Sequence, residues 1–193
     1  MRDNYLKNKK MNIKKEFEKA EERRHIREFE RQLTGSYLLT TRFNNKTLQE
    51  YRDYCDKKKF TGCLYNTSTL VCRRIPLNTN LYILEMNNDT NKIIAVGLVI
   101  NDPIYRKYNV YSEANLNIYS YTGKYRIERE TMNEDEEFIM QIFDNLCFKG
   151  SIHMKRGQGI TSFPSKILYR CKNIMDLVKP IEDMFKKRFK KND

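Results

Sequence analysis

The segment Phe148-Lys-Gly-Ser-Ile-His-Met-Lys-Arg-Gly-Gln-Gly-Ile-Thr161 concentrates the side chains best suited to hold an anion. Lys149, His153, Lys155 and Arg156 stand among Gly150, Gly157 and Gly159, with Gln158 between the last two, and the whole chain has only seven glycines. Glycine reaches positive φ and lets the backbone approach a ligand closely, so successive N–H groups can form an anion nest beside the cations. The spacing is neither a P-loop nor a dinucleotide fingerprint. Two readings stay open for it: a phosphate contact, or a connector that needs glycine to turn.

A second candidate is the stretch Leu116–Glu130. With Thr122-Gly123 as a two-residue turn, strand alternation puts Ile118, Ser120, Tyr125 and Ile127 toward the core. Tyr119, Tyr121, Lys124 and Arg126 then share the opposite face. Tyrosines interleaved with cations on an open sheet face make a stacking platform for bases. An ordinary solvated cross-strand Tyr–Arg pair gives the same pattern. Arg73-Arg74 closes a strand candidate beside Pro76, and strand periodicity turns one of the two outward to extend the basic face.

Catalytic chemistry has little to work with. The two histidines, His25 and His153, lie far apart in sequence, and no nucleophile elbow or zinc-protease motif is present. The chain is therefore expected to be non-enzymatic, with no metal and no cofactor. Cys55, Cys63, Cys72, Cys147 and Cys171 form no C-x-x-C pair and are expected as small buried hydrophobes, without disulfides. The acidic run Glu134–Glu137 suits the positive end of a helix dipole better than a metal.

The elements that must carry these residues follow from periodicity. The 193-residue length fits one domain with appendages. Residues 11–33 read as a charged helix with a thin apolar seam, ended by Gly35. Strands are expected at 36–43, 69–75, 81–86, 92–100, 116–121 and 125–130. Helices are expected at 46–58, at 134–147 with Phe138, Ile142, Phe143 and Leu146 inward, and from Pro180 to Lys191. The consecutive strands imply an antiparallel meander, curled or closed into a small barrel. The resulting division is a charged helical extension at 1–34, an α+β domain at 35–178 and a basic C-terminal helix at 179–193.

The net charge of +12 is segregated. Residues 1–34 carry 11 basic and 7 acidic side chains, residues 148–193 carry 12 and 4, and the middle is neutral with 14 of each. Basic ends on a neutral body form an electrostatic footprint for a polyanion. No apolar run is long enough to span a membrane and the N-terminus lacks the apolar core of a signal peptide, so an intracellular location, cytoplasmic or nuclear, is expected without membrane contact.

The order strand 36–43, helix 46–58, then consecutive strands resembles the PUA-like superfamily, in particular its EVE- and ASCH-type domains. The nearest stretch is Pro76–Met86 followed by Lys92–Ile100. The resemblance covers about residues 36–130 and implies a small barrel that binds RNA or a modified base in a cleft. The segment Phe148–Thr161 and the overall composition also resemble proteins of large nucleocytoplasmic DNA viruses. Nucleic acid, RNA or DNA, is thus the expected partner. The alternative is a structural or assembly protein, of a virion or other complex, docking through residues 11–33 and the C-terminal helix.

Overall fold

The structure, a computed structural model, describes residues 2–33, 35–150 and 153–189, with residues 2–7 described by their backbone alone. It is an α+β fold of five helices and eight strands among the described residues. The elements are α1 (Arg2–Gln32), β1 (Ser36–Phe43), α2 (Asn45–Lys58), β2 (Cys63–Thr67), β3 (Asn80–Asn87), β4 (Lys92–Ile100), β5 (Ile104–Tyr105), β6 (Tyr119–Gly123), β7 (Tyr125–Glu128), α3 (Glu134–Phe148), β8 (Thr161–Ser162), α4 (Ser165–Cys171) and α5 (Lys179–Phe189).

Five strands form one sheet in the order β7-β4-β3-β1-β8, and three form another in the order β2-β6-β5. β1 and β3 run parallel, joined by a long crossover through α2 and β2, and the other pairs are antiparallel. The expected all-antiparallel meander is therefore corrected to a mixed sheet with a second, smaller sheet, and the described strands do not close into a barrel. The second sheet exists because β2 leaves the first. Its sequence, CLYNT, is buried at all five positions and so offers no alternation to read.

Alternation along the central strands builds three layers. Leu38, Tyr82, Leu84 and Met86 face the helices α3, α4 and α5, whereas Leu39, Leu81 and Ile83 face the second sheet. The β3–β4 register shifts beside Glu85 and Met86. That extra residue in β4 lets both Ile93 and Val96 point into the helical core, although they are three apart. The β3–β4 turn is built by Asn87, whose Oδ1 accepts from the backbone N–H groups of Asp89 and Thr90.

The helices start where their caps dictate. Asn44 and Thr47 close a capping box on α2, and Asn133 and Glu136 close one on α3. On α3 the buried face is Ile139, Met140, Phe143 and Cys147, with Ile142 and Leu146 half-buried. Phe138, expected inward, is 58% exposed. α5 is a core element, with Ile181, Met184 and Phe185 buried and Arg188 donating to the Thr131 carbonyl at 2.9 Å and to Glu136. Lys190 and Lys191 lie outside the described residues. The C-terminal half of α1 docks on α4 through Phe29 against Tyr169 and through Glu22, which accepts from Arg170 at 2.8 Å.

Between the two sheets sits a buried ion pair. Glu85 on β3 is fully buried, and Arg126 on β7 donates to both its oxygens at 2.7 Å. Tyr65 on β2 reaches across the layer and donates to Glu85 Oε1 at 2.7 Å. Burial opposes the charge of Arg126, but Glu85 outweighs it and holds the guanidinium above its ordinary value. Gly97 is required here, because a Cβ at that position would overlap the Tyr65 hydroxyl.

A buried pair costs most when one member is removed. Arg126→Met is expected to lower unfolding free energy by about 3–5 kcal/mol, and Tyr65→Phe by about 1–3 kcal/mol for the unmet hydrogen bond. The double variant Glu85→Leu/Arg126→Met is expected to recover part of the Arg126→Met loss. Urea unfolding curves of the three variants check this.

Candidate nucleic-acid interface

The second sheet crosses the first obliquely. At its start, Cys63 and Tyr65 of β2 lie against Gly97 of β4, and at its end Thr67 lies against Gly159, just before β8. Thr67 pairs with Tyr119 of β6, which pairs in turn with Tyr105 of β5. Residues directly opposite across a strand pair share a face. Thr67, Tyr119 and Tyr105 therefore line the inner face of the small sheet, where it opens beside the β8 edge.

The glycine segment is held against this opening. Arg42 at the end of β1 donates from Nε to the Met154 carbonyl at 2.5 Å and from Nη1 to Thr161 Oγ1 at 2.9 Å. Asn88 donates to the Lys155 carbonyl at 3.1 Å, and the Met154 N–H donates to the Cys147 carbonyl at 2.7 Å. Gly157 lies over the Arg42 guanidinium, and a Cβ at Gly159 would overlap the Thr67 hydroxyl. Gly150, Gly157 and Gly159 all have positive φ, at 82°, 138° and 64°. The 153–160 segment is thus anchored at both ends, with Arg156, Gly157 and Gln158 exposed and His153 and Lys155 half-buried. Lys149 is exposed as the last cap of α3, and Ser151 and Ile152 lie outside the described residues.

Arg42 has no carboxylate partner among the described residues, and burial pulls it below its ordinary guanidinium value. A half-buried cation beneath exposed backbone adds positive potential at the loop surface. Sequence reasoning missed it, although one signal was present: a single charged residue in the strand SYLLTTRF, between Thr41 and Phe43, which must find partners where the strand packs.

The expected Tyr/Arg face is corrected. β6 and β7 do not pair with each other: β6 joins β2, and β7 joins β4. Thr122-Gly123 is a corner between sheets, where a Cβ at Gly123 would overlap the Leu98 carbonyl. Tyr121 is fully buried, its hydroxyl accepting from the Val71 N–H at 3.0 Å, and Ser120 is buried on the other face. Arg126 is taken by Glu85 and Glu128, and Lys124 projects from the corner. An exposed aromatic–cation cluster does exist, but around different residues. The Tyr105 and Tyr119 rings lie 5.7 Å apart, and Arg106 stacks over Tyr105 at 5.2 Å. Tyr105 is 61% exposed. Cross-strand pairing through the two-residue β5 is not visible in sequence.

Residues 69–75 are not a strand. The Ile75 N–H donates to the Cys72 carbonyl at 2.9 Å, which makes Arg73 and Arg74 the central residues of a turn and exposes both. Thr69 lies beside Gly159, so this basic turn and the glycine loop border the same edge.

Not all cysteines are buried: Cys63 and Cys147 are, Cys55 and Cys171 are half-buried, and Cys72 is exposed, with all five free. Burial pushes Cys63 and Cys147 up to about 12. The acids of α3 are used structurally, Glu137 and Asp144 both accepting from Arg129. Among the described residues no group of three His, Cys, Asp or Glu is arranged to hold a metal, and no helix is long and apolar enough to cross a membrane. Comparison with family models, curated proteins and solved structures finds no match.

The pinning of the loop by Arg42 has a measurable consequence. Arg42→Ala is expected to speed amide exchange across residues 153–160 and to cost about 1.5–3 kcal/mol of stability. Arg42→Lys is not expected to restore the protection, since an ammonium cannot reproduce the fork to Met154 and Thr161. Hydrogen-exchange mass spectrometry of both variants checks it.

Proposed function

We propose that the protein is a non-catalytic nucleic-acid-binding module that takes a single strand along the β8 edge. The observation that carries this reading is the adjacency of an anchored basic glycine loop and a Tyr105/Tyr119/Arg106 cluster in which Tyr105 and Arg106 are exposed and Tyr119 half-buried, linked through Thr67. The exposed backbone of Arg156, Gly157 and Gln158, with the side chains of Lys149, Lys155 and Arg156, contacts phosphates. Arg73 and Arg74 extend the track on the neighbouring turn. Tyr105 supplies the π-face, and stacking of this kind tolerates any base. His153 and Gln158 border the same backbone. Phosphate contacts set register, and the tyrosines add affinity without a sequence code. We read the two sheets joined at Gly123 as an opened variant of the PUA-like barrel, with the cleft between the sheets as the binding edge.

A second reading, assembly through α1, is favoured by one observation. Ile13 and Phe17, one helical turn apart, are 63% and 66% exposed on the part of α1 that precedes its docking on α4. An apolar seam left open in this way suits a protein partner.

Binding to labelled single-stranded RNA and double-stranded DNA, at low and near-physiological salt, separates the two readings. The module predicts saturable binding to the single strand, with a log–log salt slope of about −0.7 per phosphate contact. Lys149→Ala/Lys155→Ala/Arg156→Ala is expected to flatten that slope, and Tyr105→Ala to weaken binding by about 1–3 kcal/mol without changing it. Salt-independent binding, or none, would contradict the module and shift the weight to α1.

A further inference from the structure

A second concavity lies at the far end of β8, between the C-terminal half of α1, the Cys72–Ile75 turn and the start of α4. It is a groove of about 690 Å³. Leu33, Ile75 and Phe163 make its apolar floor, and Tyr37 stands in its wall with its hydroxyl donating to the Leu33 carbonyl at 3.2 Å. Arg27, Arg31 and Arg74 stand on its rim, all exposed. Arg27 and Arg31 are one helical turn apart and so project from one face of α1.

The acids nearby are already engaged. Glu22 accepts from Arg170 and faces Lys166, and Glu28 faces Arg24. Glu30 accepts from Ser165 and stands 3.9 Å from Arg74. Among the described residues Arg27 and Arg31 make no salt bridge, so the rim keeps two uncompensated guanidinium groups above an apolar, aromatic floor. Two free forks over such a floor, with Arg74 beside Glu30 as a third cation, match a ligand with a flat apolar body and a phosphate, because guanidinium binds phosphate bidentately. The volume is that of a small-molecule site.

We infer that this groove is a nucleoside-phosphate site, with the base against Tyr37 and Leu33 and the phosphate on Arg27 and Arg31, beside Arg74. The choice of a nucleoside rests on the nucleic-acid reading above. The ligand has two sources of one chemistry: a free mononucleotide, or the 5′-phosphorylated end of a strand whose body follows β8 to the glycine loop.

Cys72 stands exposed at the lip and reports occupancy through its rate of alkylation, read by mass spectrometry. Adenosine 5′-monophosphate is expected to slow Cys72 alkylation at concentrations where inorganic phosphate does not. Arg27→Ala/Arg31→Ala, changes at exposed positions, is expected to raise the required concentration about tenfold or more, the order of one charged phosphate contact. A 5′-phosphorylated RNA oligonucleotide binding tighter than its 5′-hydroxyl twin, with the difference lost in the variant, assigns the site to strand ends. Equal binding of the twins with protection by the mononucleotide assigns it to free nucleotides. Strand binding that leaves Cys72 unprotected by every probe overturns the groove while the proposed module stands. Protection by the mononucleotide without any strand binding overturns the module while the groove stands. Protection by inorganic phosphate alone to the same degree overturns the base half of the assignment, and no protection and no binding overturns both.

Discussion

The fold depends on a charge placed where charge is costly. Glu85 has no exposure, and it is tolerated because Arg126 takes both its oxygens and Tyr65 donates a third hydrogen bond. The three residues come from β3, β7 and β2, which belong to two sheets. A carboxylate stranded in that layer would cost several kcal/mol, so the sheets meet in the arrangement that satisfies it. Apolar packing alone tolerates sliding, whereas a three-part hydrogen-bonded pair sets one register.

That register reaches the candidate interface. With Tyr65 fixed over Gly97, the rest of β2 runs obliquely toward β8, and Thr67 arrives against Gly159. Tyr119 and Tyr105 follow by strand pairing. Arg42 meets the same place from the other side, holding Met154 and Thr161. Two arginines thus do opposite jobs. Arg126 spends its charge on an internal acid, while Arg42 satisfies its hydrogen bonds on a carbonyl and a hydroxyl and keeps its charge unneutralised beneath the loop.

Legibility in the sequence followed the physics of each element. β1, α2, β4 and α3 stood out because short apolar runs bounded by turn residues mark strands and helical spacing of apolar residues marks helices. β2 hid because full burial erases alternation, and its absence led to the expected antiparallel meander. Residues 69–75 carry strand-like composition, yet Val71 gives its N–H to Tyr121 and Ile75 closes a turn, so no ladder forms. Gly123 looked like a hairpin residue, but its function is a close approach to the Leu98 carbonyl, a contact between segments distant in sequence. The glycine loop was legible as an unusual cluster of residue types. Its partners were not, since Arg42, Asn88 and Thr67 are brought to it by topology alone.

The most direct test of the interface is hydrogen exchange of the full chain with and without bound single-stranded RNA. The account predicts new protection in residues 153–160 and 68–75 and around Tyr105 and Tyr119, with α2 and α3 unchanged. Protection confined to the N-terminal half of α1, with the β8 edge exchanging as in the free protein, would contradict it.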